Sequence, residues 1–251
     1  MKQISFCTTV CDRLDSLKKT LPANLSAIND RCEISLVDFN SKSDPVAEWV
    51  ETQFPSELSN GPLQFFVVTE DVFWSAPHAK NLAHRLATSL YMVNIDADNY
   101  LSKEDVSTFL AVARRGGPLQ QELFNGVGGN GTCGRIGLSA ETFYYLGGYD
   151  EGMLPMGSHD LDLLRRAIKN VRADACIPWN NATPLLVDTN ASKLRAYSDQ
   201  TDSLWSEMNE LNKRRSMLRE RVMGIRINGS FSSYKGVLNG NNVSVDGLGR
   251  I

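Results

Sequence analysis

The chain lacks any hydrophobic run long enough to cross a membrane; its longest apolar stretches have the length of a β-strand. Its opening residues, Met1-Lys-Gln-Ile-Ser-Phe-Cys7, carry no apolar run like that of a signal peptide. Cysteine excludes more by arrangement than by number. The five residues, Cys7, Cys11, Cys32, Cys133 and Cys176, are odd in count, scattered, and often set inside apolar runs. That pattern disfavours a disulfide framework or a zinc site and points to reduced thiols in a cytoplasm. Asn181-Ala-Thr and Asn190-Ala-Ser then match the glycosylation triplet by composition alone. Charge of one sign is also missing. A net −3 gives no overall attraction to nucleic acid or an anionic membrane, so such a partner needs a local basic patch. No internal repeat is visible. What remains, 42% hydrophobic and 22% charged residues over 251 positions, suits a globular chain with a full core, as one large domain or a domain with an extension.

Two acidic clusters stand out. In Tyr91-Met-Val-Asn-Ile-Asp96-Ala-Asp98-Asn-Tyr100 a short apolar run ends in two carboxylates one residue apart. From Gly147-Gly-Tyr-Asp-Glu to His159-Asp160-Leu-Asp162-Leu-Leu-Arg-Arg166 a Gly-rich turn runs into an acidic helix start. A strand that delivers Asp-x-Asp into a loop suits Mg²⁺ or Mn²⁺ on a phosphate, because hard cations prefer carboxylate oxygens and share their coordination with substrate phosphates. An isolated Asp-x-Asp is usually a solvated turn. The two clusters in this order are far more specific.

Strand and helix signals alternate over roughly the first 180 residues. Strands are expected at Ile4–Val10, Cys32–Val37, Leu63–Val68, Tyr91–Ile95 and Gly134–Ser139. Asp12 is placed to cap a helix carrying Leu14, Leu17 and Leu21, with Pro22 helping to close it. Pro77 suits a first helical turn, followed by Leu82, Leu86 and Leu90 at i+4 spacing. Ser102-Lys-Glu-Asp105 resembles a capping box for a helix that Gly116-Gly-Pro stops, and another helix is expected from about Asp160 to Asn170. The alternation predicts a mostly parallel, three-layer α/β sheet, with Asp38, Asp96 and Asp98 at the carboxyl ends of strands, where such sheets bind ligands. A polar helix is expected from Ser203 to Ile225, then Gly/Asn/Ser-rich sequence with short apolar alternations. The organisation expected is residues 1–190 as the main domain and 191–251 as a helical and hairpin extension packed on it.

With these pieces placed, the chain resembles glycosyltransferases of the GT-A fold, a Rossmann-like three-layer fold, and most nearly the inverting family 2. Thr8-Thr-Val-Cys-Asp-Arg13 is similar to the family's opening strand and turn, and Leu36-Val-Asp38-Phe-Asn-Ser-Lys-Ser-Asp44 to its "VDDGSxD" segment, with Phe39 and Asn40 as departures. His78-Ala-Lys-Asn81 resembles "AxRN", and the second acidic cluster resembles "GGFDE…EDxDLxxR". The resemblance implies a nucleotide-sugar donor, foremost a UDP-sugar. Asp38 would bond the base, the Thr8–Val10 edge would frame it, and Arg13, Asp44 and Asn81 would belong to the same pocket. Asp98 would bind Mn²⁺ or Mg²⁺ directly, and Asp96 would contact the ribose or the metal. Asp160 matches the catalytic base. His159 stands where the family usually has Glu, and is an alternative base or ligand.

Other readings stand beside these. Asp162 reads best as a carboxylate favouring the positive end of a helix dipole, and Arg165 and Arg166 as a solvated or salt-bridged face. His78 and His84 read as structural. Gly126-Val-Gly-Gly-Asn-Gly-Thr-Cys-Gly134 reads as a loop beside the acceptor, since it lacks the Gly-Lys-Ser/Thr ending of a phosphate-binding loop. No histidine follows His159, so Asp188 is the candidate third metal ligand, against a plain strand-end turn. Lys213, Arg214, Arg215, Arg219, Arg221 and Arg226 form a local basic excess. Either they are a solvated face, with Met208, Leu211, Leu218 and Val222 packing inward, or they bind an anionic acceptor such as a phosphorylated glycan carrier or nucleic acid. Retaining transfer, nucleotidyl transfer and a non-catalytic nucleotide-sugar-binding module are the alternative functions.

Overall fold

A computed structural model describes residues 2–114, 119–121, 134–171, 177–179, 202–227 and 229–247. At its centre lies β1 (Ile4–Val10). It pairs in parallel with β2 (Cys32–Asp38), from Ile4 opposite Cys32 to Val10 opposite Asp38, and with β4 (Tyr91–Asn94) on the other side. Beyond β2 lies β3 (Leu63–Val68), also parallel. Beyond β4 come β6 (Ile136–Ser139), antiparallel to it, then β5 (Leu119–Gln121) and β7 (Ile177–Trp179). The C-terminal hairpin β8 (Tyr234–Leu238) and β9 (Asn241–Val245) adds antiparallel to β3, giving the order β7-β5-β6-β4-β1-β2-β3-β8-β9 among the described residues.

Both faces of the sheet are covered, which is why β1 and β2 are buried at every position and show no polar alternation. Ile4, Phe6 and Val10 join the core under α1 (Leu14–Ala27), α2 (Val46–Gln53), α3 (Pro55–Asn60) and α5 (Lys103–Ala113). Cys7, of the opposite parity, joins the core under α4 (Ala76–Leu86), α6 (Ala140–Leu146) and α7 (His159–Val171). The expected capping box on α5 is formed, with Ser102 Oγ accepting from Asp105 N and Asp105 returning the bond to Ser102 N. Its expected stop at Gly116-Gly-Pro lies outside the described residues.

Several local expectations are corrected. Asp12 does not cap α1; its Oδ1 accepts from the backbone of Lys42, Ser43 and Asp44, while Asp44 takes the Leu14 N–H. Helix α1 continues through the exposed Pro22 to Ala27. Thr20 donates to Ala97 O (2.6 Å), and Asn24 donates to Asn99 O (2.9 Å) and accepts from Leu101 N (2.7 Å). These tertiary bonds hold its last turns against the loop that carries Asp98. Helix α4 ends at Leu86, and Leu90 is exposed in the turn before β4.

The C-terminal helix α8 (Asp202–Met223) packs the other way round from expectation. Of the four apolar residues expected inside only Met208 is buried; Leu218 and Val222 are 65% and 74% exposed. The inward side is Asn212, Ser216 and Arg219. Asn212 donates to the carbonyls of Leu154, Met156 and Gly157 and accepts from Leu154 N. The loop entering α7 presents backbone groups that need partners once covered, so polar side chains win this interface.

Candidate active site

The acidic motif leaves the sheet at the end of β4, where Asn94 donates to Gly134 O (2.7 Å) and Asp96 Oδ1 (3.2 Å). Arg13, just before α1, donates to Asp98 Oδ2 at 2.8 Å, and Asn99 holds Asp98 Oδ1 at 2.6 Å. From α4, Lys80 Nζ reaches Asp96 Oδ1 (3.0 Å) and Asp160 Oδ1 (2.8 Å) together. Asp160 sits in the first turn of α7, with His159 Nε2 3.2 Å from its Oδ2. Arg13, Lys80, Asp96, Asp98, His159 and Asp160 line one cavity of about 410 Å³. At its edge a Cβ on Gly134 would displace the Asp96 carboxylate.

Burial and charge compete here. Burial alone would push the Asp160 carboxyl up, but His159 and Lys80, through charge and hydrogen bonds, hold it well below the usual carboxylate range. Burial likewise opposes the Lys80 charge, and Asp160 and Asp96 outweigh it and raise the ammonium above its ordinary value. The His159 ring is buried against Tyr149; its Nε2 faces Asp160, and its Nδ1 has no hydrogen-bond partner among the described residues.

The other singled-out residues fall in three places. Thr9 lines the cavity, while the Thr8 and Val10 side chains are buried in β1 and do not. Asp38 accepts from Ser41 N at 3.0 Å, and burial pushes its carboxyl up to about 6. Asp44 lines a second cavity of about 390 Å³ with Cys11, Asn40, Phe73 and Trp74; Trp74 also lines the first. Asn81 faces away from both cavities, its amide bonded to Tyr149 and Glu151. Asp188 and the loop at 126–133 lie outside the described residues. Among the described residues no three His, Cys, Asp or Glu side chains are grouped to hold a metal ion.

The helix-dipole reading of Asp162 is replaced by a buried ion cluster: it accepts from Arg166 Nε and Arg219 Nη2, each at 2.8 Å, and from Ser216. The basic excess on α8 is largely matched. Arg215 and Arg219 turn to Asp150 and Asp162, and Arg214 pairs with Glu210. His84 stacks on Phe143 at 4.6 Å and His78 bonds Tyr234 and Glu151 O, the structural roles expected. Sequence reasoning passed over Lys80 and two cavity-lining tryptophans, Trp74 and Trp205. The available signal for Lys80 was a charge between Ala79 and Ala83 on a buried helix.

The sequence profile of glycosyl transferase family 2 matches residues 5–168, well over half of the chain. A search of curated proteins finds no significant match. Among solved structures, S. aureus TarS 1–349 in complex with UDP-GlcNAc gives a TM-score of 0.62 at 13% identity, over 88% of this chain and 68% of that one. Glucosyl-3-phosphoglycerate synthase from Mycobacterium tuberculosis, with Mn²⁺, UDP and glucosyl-3-phosphoglycerate, gives 0.60 at 14% identity, over 98% and 91%. The mannosyltransferase PcManGT from Pyrobaculum calidifontis, with GDP-Man and Mn²⁺, gives 0.57 at 15% identity, over 87% and 64%. The chain thus belongs to glycosyltransferase family 2 and is a glycosyltransferase of the GT-A fold.

Proposed function

We propose that the chain moves a sugar from a nucleoside-diphosphate sugar, foremost a UDP-sugar, to an acceptor hydroxyl with inversion at the anomeric carbon. One observation carries this reading: Asp96, Asp98 and Asp160, from the β4 loop and α7, converge on one cavity with Arg13 and Lys80 between them. The acceptor O–H gives its proton to Asp160 as its oxygen bonds the anomeric carbon. The bond from that carbon to the diphosphate oxygen breaks, and its electron pair leaves with the nucleotide. Arg13 and Lys80 face the leaving diphosphate. Asp38 accepts a hydrogen bond from the base, beside the backbone edge at Thr8–Val10, and Asp44 closes that end.

The donor set fits a hard divalent cation: Asp98 and Asp96 offer carboxylate oxygens to one cavity, and Gly134, without a Cβ, lets the Asp96 carboxylate sit there. Asp98 and Asp96 would hold Mn²⁺ or Mg²⁺ there, and the ion would stabilise charge on the departing diphosphate. Asp188 is the candidate third ligand. No described helix is long and apolar enough to cross a membrane, and Cys7, Cys11 and Cys32 are free thiols, which supports a reducing, cytoplasmic setting.

The test is turnover of a nucleotide-sugar panel with Mn²⁺, with the product anomer read by NMR. Asp160→Asn should keep nucleotide affinity and lose roughly 10²–10⁴-fold in rate. A retained anomer sinks the inverting mechanism, and pyrophosphate released from a nucleoside triphosphate favours nucleotidyl transfer. Should His159→Ala be crippled while Asp160→Asn turns over normally, His159 is the base. Its contact with Asp160 keeps that second reading alive.

A further inference from the structure

We propose that the acceptor is an uncharged sugar that lays a pyranose face on Trp205, with its reacting hydroxyl between Asp160 and His159. This rests on the donor reading above, which makes Asp160 the acceptor end of the cavity. Around Asp160 the cavity wall is Trp74, Met156, Ser158, Leu161, Trp205 and Asn209. Trp205 projects from α8, which packs so tightly on the turn before α7 that a Cβ on Gly157 would lie 2.7 Å from Asn209 Cα. Ser158 and Asn209 are bonded to each other at 2.8 Å, and Trp74 Nε1 donates to Met156 Sδ at 3.3 Å. The wall is therefore pre-set, largely apolar, and edged by a few hydrogen-bonding groups. A pyranose matches it, with a C–H face for the indole and hydroxyls for the edge.

Charge argues the same way. Among the described residues the cavity has two permanent cations, Arg13 and Lys80, and they are bound to Asp98, Asp96 and Asp160. A divalent cation entering with a nucleoside diphosphate brings its own compensating charge. Among the described residues the three carboxylates already engage Arg13 and Lys80, with His159 beside Asp160, so no cation is left over for a phosphorylated acceptor. The arginines that would answer it, Arg215 and Arg219, point to Asp150 and Asp162 and line no part of this cavity. His159 supplies an independent pointer. Its ring is buried and lines the cavity; Nε2 faces Asp160 Oδ2 at 3.2 Å, while Nδ1 has no hydrogen-bond partner among the described residues. A buried ring nitrogen without a partner is costly, and an acceptor hydroxyl would satisfy it.

The experiment offers wild-type protein, with UDP-sugars and Mn²⁺, a set of p-nitrophenyl pyranosides and the same sugars as 6-phosphates. Transfer is read by mass spectrometry, and UDP affinity is titrated separately. Transfer to a neutral pyranoside is expected, with Trp205→Ala raising its KM by about 10-fold or more. Trp205→Phe should stay within about threefold of wild type, and UDP affinity, which also reports folding, should hold in both variants. Preference for the 6-phosphates, an unchanged KM in Trp205→Ala, or UDP binding with transfer to none of the pyranosides overturns the proposal. Absence of UDP binding by wild type shows instead that the donor reading has failed, and this proposal falls with it.

Discussion

The ammonium of Lys80 lies within 3.0 Å of Asp96 and Asp160 at once, so Asp160 is held ionised by a cation that a diphosphate would also attract. An ionised Asp160 held this low is a weak base. Movement of Lys80 toward an arriving diphosphate would relax that hold and raise the basicity of Asp160 when the acceptor is present. Lys80→Gln tests the coupling. Burial, which raises the Asp160 pKa, would then be opposed by His159 alone, so the acid limb of the kcat/KM profile should move to higher pH. An unmoved limb detaches Asp160 from the proton transfer. Asp38 gives a second titration, in the proposed base pocket. Burial raises its carboxyl to about 6, so below that pH it is protonated and accepts poorly from a base N–H. UDP affinity should therefore rise with pH through about 6, and Asp38→Asn should flatten that dependence in calorimetry. The linked stability has the opposite slope: a carboxyl raised by folding favours the native state at low pH, and that contribution is lost as pH climbs toward 6.

Between elements, the carboxylates divide into those facing the cavity and those that hold helices together. Asp160 and Asp162 are two positions apart on α7, yet Asp162 is buried against Arg166, Arg219 and Ser216. Arg166 continues to the carbonyls of Leu146 and Gly148, tying α7 to the end of α6. Asp162→Ala would leave two arginines buried without their partner, a loss of about 3–5 kcal/mol by urea denaturation. A loss below about 1 kcal/mol would mean that water replaces the cluster. Gly134→Ala predicts the reverse pattern, since the atoms displaced are those of the Asp96 carboxylate. Activity should fall at least tenfold with little change in melting temperature. The strand ending in Asp96 and the acidic start of α7 were legible because each is a local pattern, an apolar run meeting a charge. The inward face of α8 was not. Its partners are backbone groups near residue 155, and no hydrophobic periodicity reports such long-range bonds.

For the molecule as a whole, the Gly147–Glu151 turn ties the last fifty residues to the site beyond Trp205 and Asn209, which line it directly. Asp150 receives Arg215 of α8 at 3.0 and 3.2 Å. Glu151 Oε1 accepts from Asn81, and its Oε2 accepts from the backbone and hydroxyl of Ser232, just before β8. One short turn thus links α4, which carries Lys80, to both parts of the C-terminal segment. Strand β8 then completes the sheet beside β3, where a Cβ on Gly236 would strike Val67 O and the Phe66 ring. From sequence alone residues 191–251 read as an addition to a domain ending near 190, because the segment has few large apolar residues. Hydrogen bonds and strand pairing carry its attachment instead. We therefore expect a chain ending at residue 190 to lack a cooperative melt, since it would expose the β3 edge and leave Asp150, Glu151 and Asp162 without their C-terminal partners. Glu151→Ala tests the joint within the full chain. Losing these bonds should cost about 1–3 kcal/mol, a fall of roughly 2–12 °C in melting temperature for a protein of this size. Because Lys80 shares α4 with Asn81, donor affinity should weaken along with the melt. A lower melting temperature with unchanged UDP affinity would show that the turn supports the fold without positioning the site.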